Sequence, residues 1–401
     1  MTDTSAKLSA EVSELVAVSR AVGADLRLVQ GGGGNTSVKS ADGLTMVVKA
    51  SGTALAEMTP RRGYRRVDMA AVLNMLGDAA LARLPAKERE RQALSLLNAA
   101  TLDNLEGRPS VETCLHALLG RAVVHAHPAA ANALCCARDG ARLTTKWMDG
   151  IAGKPLFMPY VDPGLPLARA VAKAVKRHEK HHGAPPAIIF LANHGVFVTA
   201  SKASRALAIM RRIDARARAQ WRLAAPKSAG PHAVARGGAP QALRDRMRAA
   251  ALDVWSKDLG AELVPAFSDD AAVRAALAYP DIARLMRVGP LTPDQVVYAH
   301  GQPVWLNRPE SDAAAMTIAL KAAKARLPKT PVTLLVSGVG LFAFGSNEKN
   351  AAAALAIASA SLLTLVAADA FGGCRGLSSR AVAYLESWEV EEFRRKVMNR
   401  S

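Results

Sequence analysis

Two histidines, His125 and His127, stand one residue apart at the end of an apolar run. Side chains at positions i and i+2 of a β-strand point to the same face of the sheet, so both imidazoles can reach one point in space. A third histidine, His194, directly follows a second strand-like run, and the carboxylate of Glu112 precedes the pair. Three imidazoles beside a carboxylate are typical of a divalent metal site that keeps an open coordination position.

Such a centre could serve more than one reaction. A metal held by three imidazoles can polarise a carbonyl group and stabilise the negative charge of an enediolate, or it can activate a water molecule for hydrolysis. The ligand set therefore predicts a metal enzyme without naming its reaction. The HxH pair alone is weaker evidence, because strands also carry histidines that only pack.

Two runs of small residues could hold an anion. Gly31–Gly34 is followed by Asn35, and Ser51 and Gly52 come directly after a predicted strand at 44–49. Neither run has the GxGxxG pattern and acidic partner of a dinucleotide site, or the Gly-Lys-Ser/Thr of a P-loop. Consecutive glycines let backbone N–H groups approach an anion, and asparagine and serine side chains add donors. The alternative is a flexible turn between two elements.

The length of 401 residues predicts two domains. We expect a first domain at 1–223, a linker at 224–240 that is rich in Pro, Gly and Ala, and a second αβ domain at 241–401. The pattern of strand, glycine turn, strand and alanine-rich helix around His194 recurs around Val339. This echo indicates a degenerate repeat without a metal ligand at that position. Chance similarity of two αβ units is the alternative.

Other patterns assign elements to the candidate residues. Apolar residues at helical spacing predict an amphipathic helix over 6–22. Ser110 is expected to cap a helix that carries Glu112. Residues 150–165 are rich in Pro and Gly and predict a loop, which is followed by a helix from 166 to 182.

Composition narrows the class of partner. The formal net charge is +18, but basic residues are spread along the chain and no nucleic-acid-binding module is recognisable. We therefore expect no nucleic acid partner and a positive field that attracts a small anionic substrate. Residues 351–368 are almost free of charge and about long enough to span a bilayer. They are mostly alanine, which predicts a packed internal helix and no membrane partner.

The cysteines and the amino end predict a compartment. The four cysteines have no CxxC spacing, and two of them are adjacent, which favours reduced thiols. The first residues are polar and are not followed by the apolar stretch of a signal peptide. Both observations predict a cytoplasmic protein.

Five short motifs follow one another along roughly residues 10–220. They are Gly34-Asn35-Thr36-Ser37-Val38-Lys39, Ser51-Gly52, Ser110-Val111-Glu112, His125-Ala126-His127-Pro128 and Asn193-His194-Gly195. Over this range the chain resembles the class II aldolase/adducin family, in which such motifs occur in the same order. The second half looks like the rest of the aldolase module in rhamnulose-phosphate aldolase/dehydrogenase fusions. The resemblance implies an α/β fold with a central, largely antiparallel sheet flanked by helices, followed by a related, degenerate second domain.

The resemblance also implies roles for the matching residues. His125, His127 and His194 match the family's three zinc-binding histidines, and Glu112 matches its catalytic acid/base. Zinc is the expected cofactor, with manganese or cobalt as alternatives. By contrast, His116 is expected to pack or to orient a neighbour rather than to bind metal. The residues that match the family's binding positions for the phosphate of a ketose 1-phosphate are Gly34, Asn35, Ser51, Gly52 and Ser110.

The expected function is a reversible retro-aldol cleavage of a small hydroxycarbonyl compound, a sugar phosphate, through a metal-bound enediolate. A decarboxylase or an epimerase on the same scaffold would pass through a similar enediolate, and a non-catalytic adducin-like interaction module would need no metal. Val111 stands where such aldolases often have a second serine, which removes one hydroxyl and weakens the case for a phosphate. Because class II aldolases form tetramers, a homo-oligomer, either dimer or tetramer, is expected.

Overall fold

The computed structural model describes residues 9–225, 239–307, 312–327 and 329–387. The chain divides into two compact units, and two short segments of its first half belong to the second unit. Most of the predicted linker at 224–240 lies outside the described residues, so the division into 1–223 and 241–401 stays a prediction. Unit 1 contains Met1–His127, Thr144–Leu191 and Gly195–Ala215, and unit 2 contains Pro128–Leu143, Ala192–His194 and Arg216–Ser401.

Unit 1 is built on a seven-stranded sheet. Its strands are β1 Asn35–Lys39, β2 Thr45–Lys49, β3 Tyr64–Asp68, β4 Ala122–Ala126, β5 Leu156–Met158, β6 Ile188–Leu191 and β7 Gly195–Ala200. Their order is β3-β2-β1-β4-β7-β6-β5, and only the β5–β6 pair is parallel. The central strand β4 is buried along its whole length. This arrangement confirms the predicted α/β fold with a largely antiparallel sheet.

Helices flank this sheet. Those between residues 10 and 224 are α1 Ala10–Gly23, α2 Met69–Gly77, α3 Ala79–Arg83, α4 Ala86–Ala99, α5 Thr113–Leu118, α6 Ala129–Cys136, α7 Gly140–Met148, α8 Leu165–His182 and α9 Ala203–Ala224. Helix α1 packs on β1 and β2, and α5 packs against α2 and α8. A core of buried residues that includes Met46, Val67, Leu115 and Phe197 joins sheet and helices. Helix α6 belongs to unit 2.

Unit 2 has a four-stranded sheet with the order β8-β11-β10-β9. Its strands are β8 Val264–Ser268, β9 Val304–Leu306, β10 Thr333–Val336 and β11 Gly340–Gly345. Its further helices are α10 Gln241–Leu259, α11 Ala271–Leu277, α12 Ile282–Leu285, α13 Pro293–Tyr298, α14 Ala313–Lys324, α15 Glu348–Ala370 and α16 Ser379–Ser387. The core of this unit includes Trp255, whose ring meets that of Phe344 edge-on with 4.8 Å between centroids.

Helix α15 is the one described helix that is long and apolar enough to cross a membrane by length and composition. In the structure 61% of its most apolar window is buried, and the helix packs against β11 and α6 within unit 2. We therefore interpret α15 as a core helix.

The local predictions hold for most elements but fail in two places. Helix α1 and strand β2 lie where the sequence predicted them, and α8 follows the Gly-rich loop. That loop is not wholly irregular, because it contains β5, which pairs with β6. Helix α5 begins at Thr113, so Glu112 precedes the helix instead of lying in it. Residues 6–8 of the first predicted helix lie outside the described residues.

Candidate metal centre

The HxH pair lies at the end of β4, in the middle of the larger sheet. His125 pairs with Asn35 of β1 on one side and with Phe197 of β7 on the other, and its side chain is fully buried. His127 lies just beyond the strand, where its backbone N–H donates to the carbonyl of Leu28 at 2.8 Å. The Nε2 atoms of the two histidines are 2.9 Å apart. The convergence predicted from their spacing is therefore present.

His194 completes the set from the turn between β6 and β7. One ring nitrogen from each of His125, His127 and His194 lies within 4.8 Å of the other two, and all three residues are buried. The turn depends on Gly195. A Cβ atom at that position would lie 2.5 Å from His127 Cδ2 and 2.9 Å from His125 Cε1. Any side chain there would displace the rings, so glycine is required by the close approach.

The geometry of these rings fits a divalent metal. Because a carbonyl oxygen can only accept, the 3.1 Å contact between His125 Nδ1 and the Val196 carbonyl makes Nδ1 the donor. In the neutral imidazole Nε2 then carries the lone pair, and a metal-binding histidine uses its nitrogens in this way. Two nitrogens on a tetrahedral zinc ion are about 3.3 Å apart, given Zn–N bonds of ~2.0–2.1 Å. The two Nε2 atoms need to move apart by only a few tenths of an ångström to match that value.

Phe197 fixes the plane of the His125 ring. Its ring stacks on that of His125 with 3.9 Å between centroids and 13° between planes. The ring of His116 meets the same phenylalanine edge-on at 5.5 Å. His116 Nδ1 lies 2.8 Å from the hydroxyl of Ser37, and burial lowers the pKa of His116 to about 3. His116 lies outside the three-histidine set and is held by packing, as the sequence suggested.

The carboxylate of Glu112 lies beside the ring of His125. Its Oε1 is 3.3 Å from His125 Nε2, and its Oε2 accepts a hydrogen bond from Asn35 Nδ2 at 3.2 Å. The carboxylate is buried, with 7% of the residue exposed. Ser110 holds the turn before α5, because its hydroxyl accepts the Glu112 N–H at 3.3 Å and its carbonyl accepts the Thr113 N–H at 3.0 Å. An amide and a backbone turn thus orient this acid.

The predicted phosphate-binding residues also come together in part. The backbone N–H of Ser51 donates to the carbonyl of Arg108 at 2.9 Å, and the N–H of Ser110 donates to the carbonyl of Lys49 at 3.2 Å. The segment with Ser51 and Gly52 is therefore joined to the one with Ser110. The Ser51 hydroxyl is buried and has no hydrogen-bond partner in the described residues. A buried hydroxyl of this kind needs a further partner, which a bound anion would supply.

Gly34 brings the glycine run close to His125. It has φ +72°, and a Cβ atom there would lie 2.9 Å from the carbonyl oxygen of His125 and 2.6 Å from Val29 Cγ1. Only glycine fits both constraints. Asn35 follows at once as the first residue of β1. The roles of these residues in binding phosphate stay predictions.

Lys49 is the residue that sequence reasoning missed. It ends β2 directly before the Ser51 segment, is only 2% exposed, and donates from Nζ to the carbonyl of Gly32 at 3.1 Å. A buried lysine that contacts a glycine run brings a positive charge to a segment suited to anions. The available signal was a lysine that closes an otherwise apolar strand.

Two family descriptions match this chain. The one for the class II aldolase and adducin N-terminal domain covers residues 13–221, and the one for the second domain of class II aldolases covers 317–394. A curated relative of Bacillus subtilis (strain 168), named uncharacterized oxidoreductase YuxG, is 31% identical over 180 residues. That match takes in 42% of this chain and 24% of the relative, so the chain spans about a quarter of the relative's length.

Solved structures are similar to about half of the chain. An N-terminal class II aldolase domain from Thermoplasma acidophilum is 28% identical, with 55% of this chain and 99% of that chain covered and a TM-score of 0.43. YgbL from Klebsiella pneumoniae, described as a putative aldolase/epimerase/decarboxylase, is 21% identical, with 53% and 89% covered and a TM-score of 0.39. An L-fuculose 1-phosphate aldolase is 21% identical, with 53% and 84% covered and a TM-score of 0.36.

Proposed function

Because this chain belongs to the class II aldolase and adducin family, whose description matches residues 13–221, we propose that it is a metal-dependent aldolase. It would cleave a carbon–carbon bond of a small hydroxycarbonyl compound in a reversible retro-aldol reaction. The observation that carries the proposal is the meeting of three histidine ring nitrogens within 4.8 Å beside the carboxylate of Glu112. A module that served only for protein interaction would have no use for this set.

We take zinc as the metal. Three imidazoles are a ligand set of catalytic zinc sites, which keep a fourth position for a substrate. When bound, the metal would polarise the substrate carbonyl and stabilise the negative charge that develops on oxygen. Imidazole ligands also suit other divalent ions, so manganese and cobalt are the alternatives.

Glu112 moves the proton in this proposal. One of its oxygens is held by the amide of Asn35, and the other is next to a ligand atom of His125. A carboxylate fixed in this way can give a proton to, or take one from, the carbon next to the substrate carbonyl. Asn35 acts as a positioning residue, because it sets the plane of the carboxylate.

The substrate of this proposal carries a phosphate. The buried Lys49, the unpartnered hydroxyl of Ser51 and the flexible backbone of Gly52 offer charge and donors to an anion. Ser110 joins the same group through the Lys49 carbonyl. Val111 replaces a hydroxyl that many sugar-phosphate aldolases have, and the charge of Lys49 can offset that loss.

We further propose a cytoplasmic homo-oligomer whose partner molecule is a small substrate. All four cysteines are buried free thiols, which suits a reducing compartment. The formal net charge of +18 would draw an anionic substrate towards the protein.

Product analysis tests this function. The zinc-loaded protein is incubated with a panel of ketose 1-phosphates and with the corresponding free sugars. The proposal expects two carbonyl fragments, formed faster from the phosphorylated compounds, and the same ketose on mixing the fragments. Release of carbon dioxide would instead indicate a decarboxylase, and an isomeric product without fragments would indicate an epimerase. No turnover with bound metal would contradict the proposal.

A further inference from the structure

The loop that carries His194 belongs to a different unit from the strands that it connects. Residues Ala192–His194 join β6 to β7, which are both strands of unit 1, yet their contacts group them with unit 2. Residues of unit 2 therefore hold this loop. The question is which of them fix the position of the histidine.

The side chain of Asn193 is the main attachment. Its Nδ2 donates to the carbonyl of Arg375 at 2.8 Å and to the carbonyl of Leu291 at 3.0 Å. An amide nitrogen has two protons, so both are used. The backbone N–H of the same residue donates to the carbonyl of Cys135 at 3.0 Å. Three carbonyl groups from separate parts of unit 2 thus accept hydrogen bonds from one residue.

The backbone conformation of Asn193 does not by itself explain why this residue is an asparagine. Its φ is +54°, in the left-handed region that favours glycine. The equivalent turn of unit 2, between β10 and β11, has Gly338 at this position with φ +71°. Glycine would therefore satisfy the turn at Asn193. A side chain at a position where glycine suffices indicates that the amide itself is needed.

The carbonyl groups that accept from Asn193 are themselves fixed. The N–H of Arg375 donates to the carbonyl of Cys136 at 2.8 Å, and the N–H of Leu291 donates to Gln295 Oε1 at 2.9 Å. Gln295 lies in α13 and is buried. Arg375 and Leu291, whose carbonyl groups accept from the side chain of Asn193, are thus each held by a second hydrogen bond. The amide therefore meets rigid partners.

We propose that Asn193 is a positioning residue for the third metal ligand, and that its hydrogen bonds raise the metal affinity. The amide clamps the turn, and the turn sets the place of the His194 ring. Asn132 of α6 adds to the clamp, because its Nδ2 donates to the carbonyl of His194 at 3.3 Å. The proposal rests on the three-histidine metal site of the proposed function, but it requires no particular reaction.

Metal titration of the variant Asn193→Gly tests the proposal. Glycine keeps the backbone conformation and removes only the amide. We expect the dissociation constant for zinc, measured against a chromophoric chelator, to rise about 10- to 100-fold, as it does when outer partners of a metal ligand are lost. In the cobalt-substituted full-length protein, the visible d–d bands should also change, because one imidazole no longer binds in its place.

Matched variants give the result its meaning. Asp281→Gly is the control, because Asp281 is also a non-glycine residue of unit 2 with positive φ, +57°, but is exposed. Its zinc affinity and cobalt spectrum should equal those of the wild type. Asn132→Ala should weaken zinc binding in the same direction, and it decides the matter if Asn193→Gly does not fold.

The outcomes separate this inference from the proposed function. If the wild type binds zinc and His127→Ala does not, but the asparagine variants bind like the wild type, the clamp proposal is wrong and the metal site stands. If the wild type binds no divalent metal, both proposals are wrong.

Discussion

Four strands of unit 1 have the same arrangement as the four strands of unit 2. Their order is β4-β7-β6-β5 in the larger sheet and β8-β11-β10-β9 in the smaller one. In each set the last two strands are parallel and the other pairs are antiparallel. The turn from β6 to β7 is as long as the turn from β10 to β11, because Leu191 pairs with Gly195 and Val336 pairs with Gly340. The shared pattern supports the repeat that the sequence predicts.

The two sets share a tightly packed glycine and differ at the positions of the three histidines. The register makes Gly340 the counterpart of Gly195, and a Cβ atom on it would lie 2.6 Å from the carbonyl of Ser268. Tight packing at the turn therefore does not depend on metal binding. The counterparts of the three histidines are Phe267 for His125, Asp269 for His127 and Val339 for His194.

Strands β1, β2 and β3 extend only the larger sheet, in which they form one edge. They carry Asn35 and Lys49 and lead directly to Ser51. Asn35, which holds Glu112, and Lys49, which we propose to bind the phosphate, therefore lie on strands that have no equivalent in the four-stranded sheet. Under the proposed function, the repeated part supplies a scaffold, whereas the three histidines and the added strands supply the chemistry.

The largest expected effect separates His127 from its counterpart. His127→Ala should lose the metal and all measurable turnover, because it removes a direct ligand, a greater change than the roughly 100-fold loss for outer partners. Asp269→Ala should keep both, since Asp269 only forms an ion pair with Arg244 on the surface. Metal analysis after dialysis and a turnover assay measure the difference. Equal losses in both variants would break the comparison.

Glu112→Gln should lower turnover by about 10²- to 10⁴-fold, the usual contribution of a positioned acid or base. Metal content should stay at the wild-type level, because the three histidines remain. The control is Glu88→Gln, which changes a half-buried glutamate that pairs with Arg91 on α4. Retained turnover in Glu112→Gln would exclude proton transfer by this residue.

The paired glycines give an intermediate effect. Gly195→Ala and Gly340→Ala should each destabilise the protein by about 1–3 kcal/mol, since a methyl group enters a tightly packed turn. Only Gly195→Ala should also weaken metal binding, because its Cβ would meet two ligand rings. Urea unfolding and metal titration measure the two quantities. A change of zinc affinity in Gly340→Ala would show that unit 2 acts on the metal by another route.

The smallest expected effect concerns the phosphate. Lys49→Met should raise the KM for a phosphorylated substrate roughly 10- to 100-fold, as expected for loss of a charged hydrogen bond. The KM for an unphosphorylated analogue should stay unchanged. Lys39→Met is the matched control, because Lys39 is also largely buried but donates to the carbonyls at the end of α5. Burial lowers the pKa of Lys39 to about 8. Equal changes with both substrates would remove Lys49 from the phosphate site.

Much of the site could be predicted because its signals are local. The i, i+2 spacing of His125 and His127 fixes their common face in any strand, and a glycine after His194 marks a tight turn. Glu112 stood out as a carboxylate ahead of the pair, and the family resemblance then supplied its role as acid/base. Spacing alone does not show that Oε1 of this acid lies next to His125, since they are far apart in the chain.

Other features depend on tertiary contacts and left no clear local pattern. Strand β5 has three residues in a Gly-rich loop and exists because β6 offers it a parallel edge. The burial of Lys49 depends on the path of the glycine run. The grouping of Ala192–His194 with unit 2 depends on carbonyls that are distant in sequence. Sequence periodicity carries no information on such contacts.

The most direct test of the account is metal analysis of the purified wild type with X-ray absorption at the zinc edge. The account predicts about one metal ion per chain after dialysis, with three imidazole nitrogens in its first shell. Unit 2 should bind no second metal ion. A protein without metal, a ratio of two, or a spectrum without imidazole scattering would contradict it.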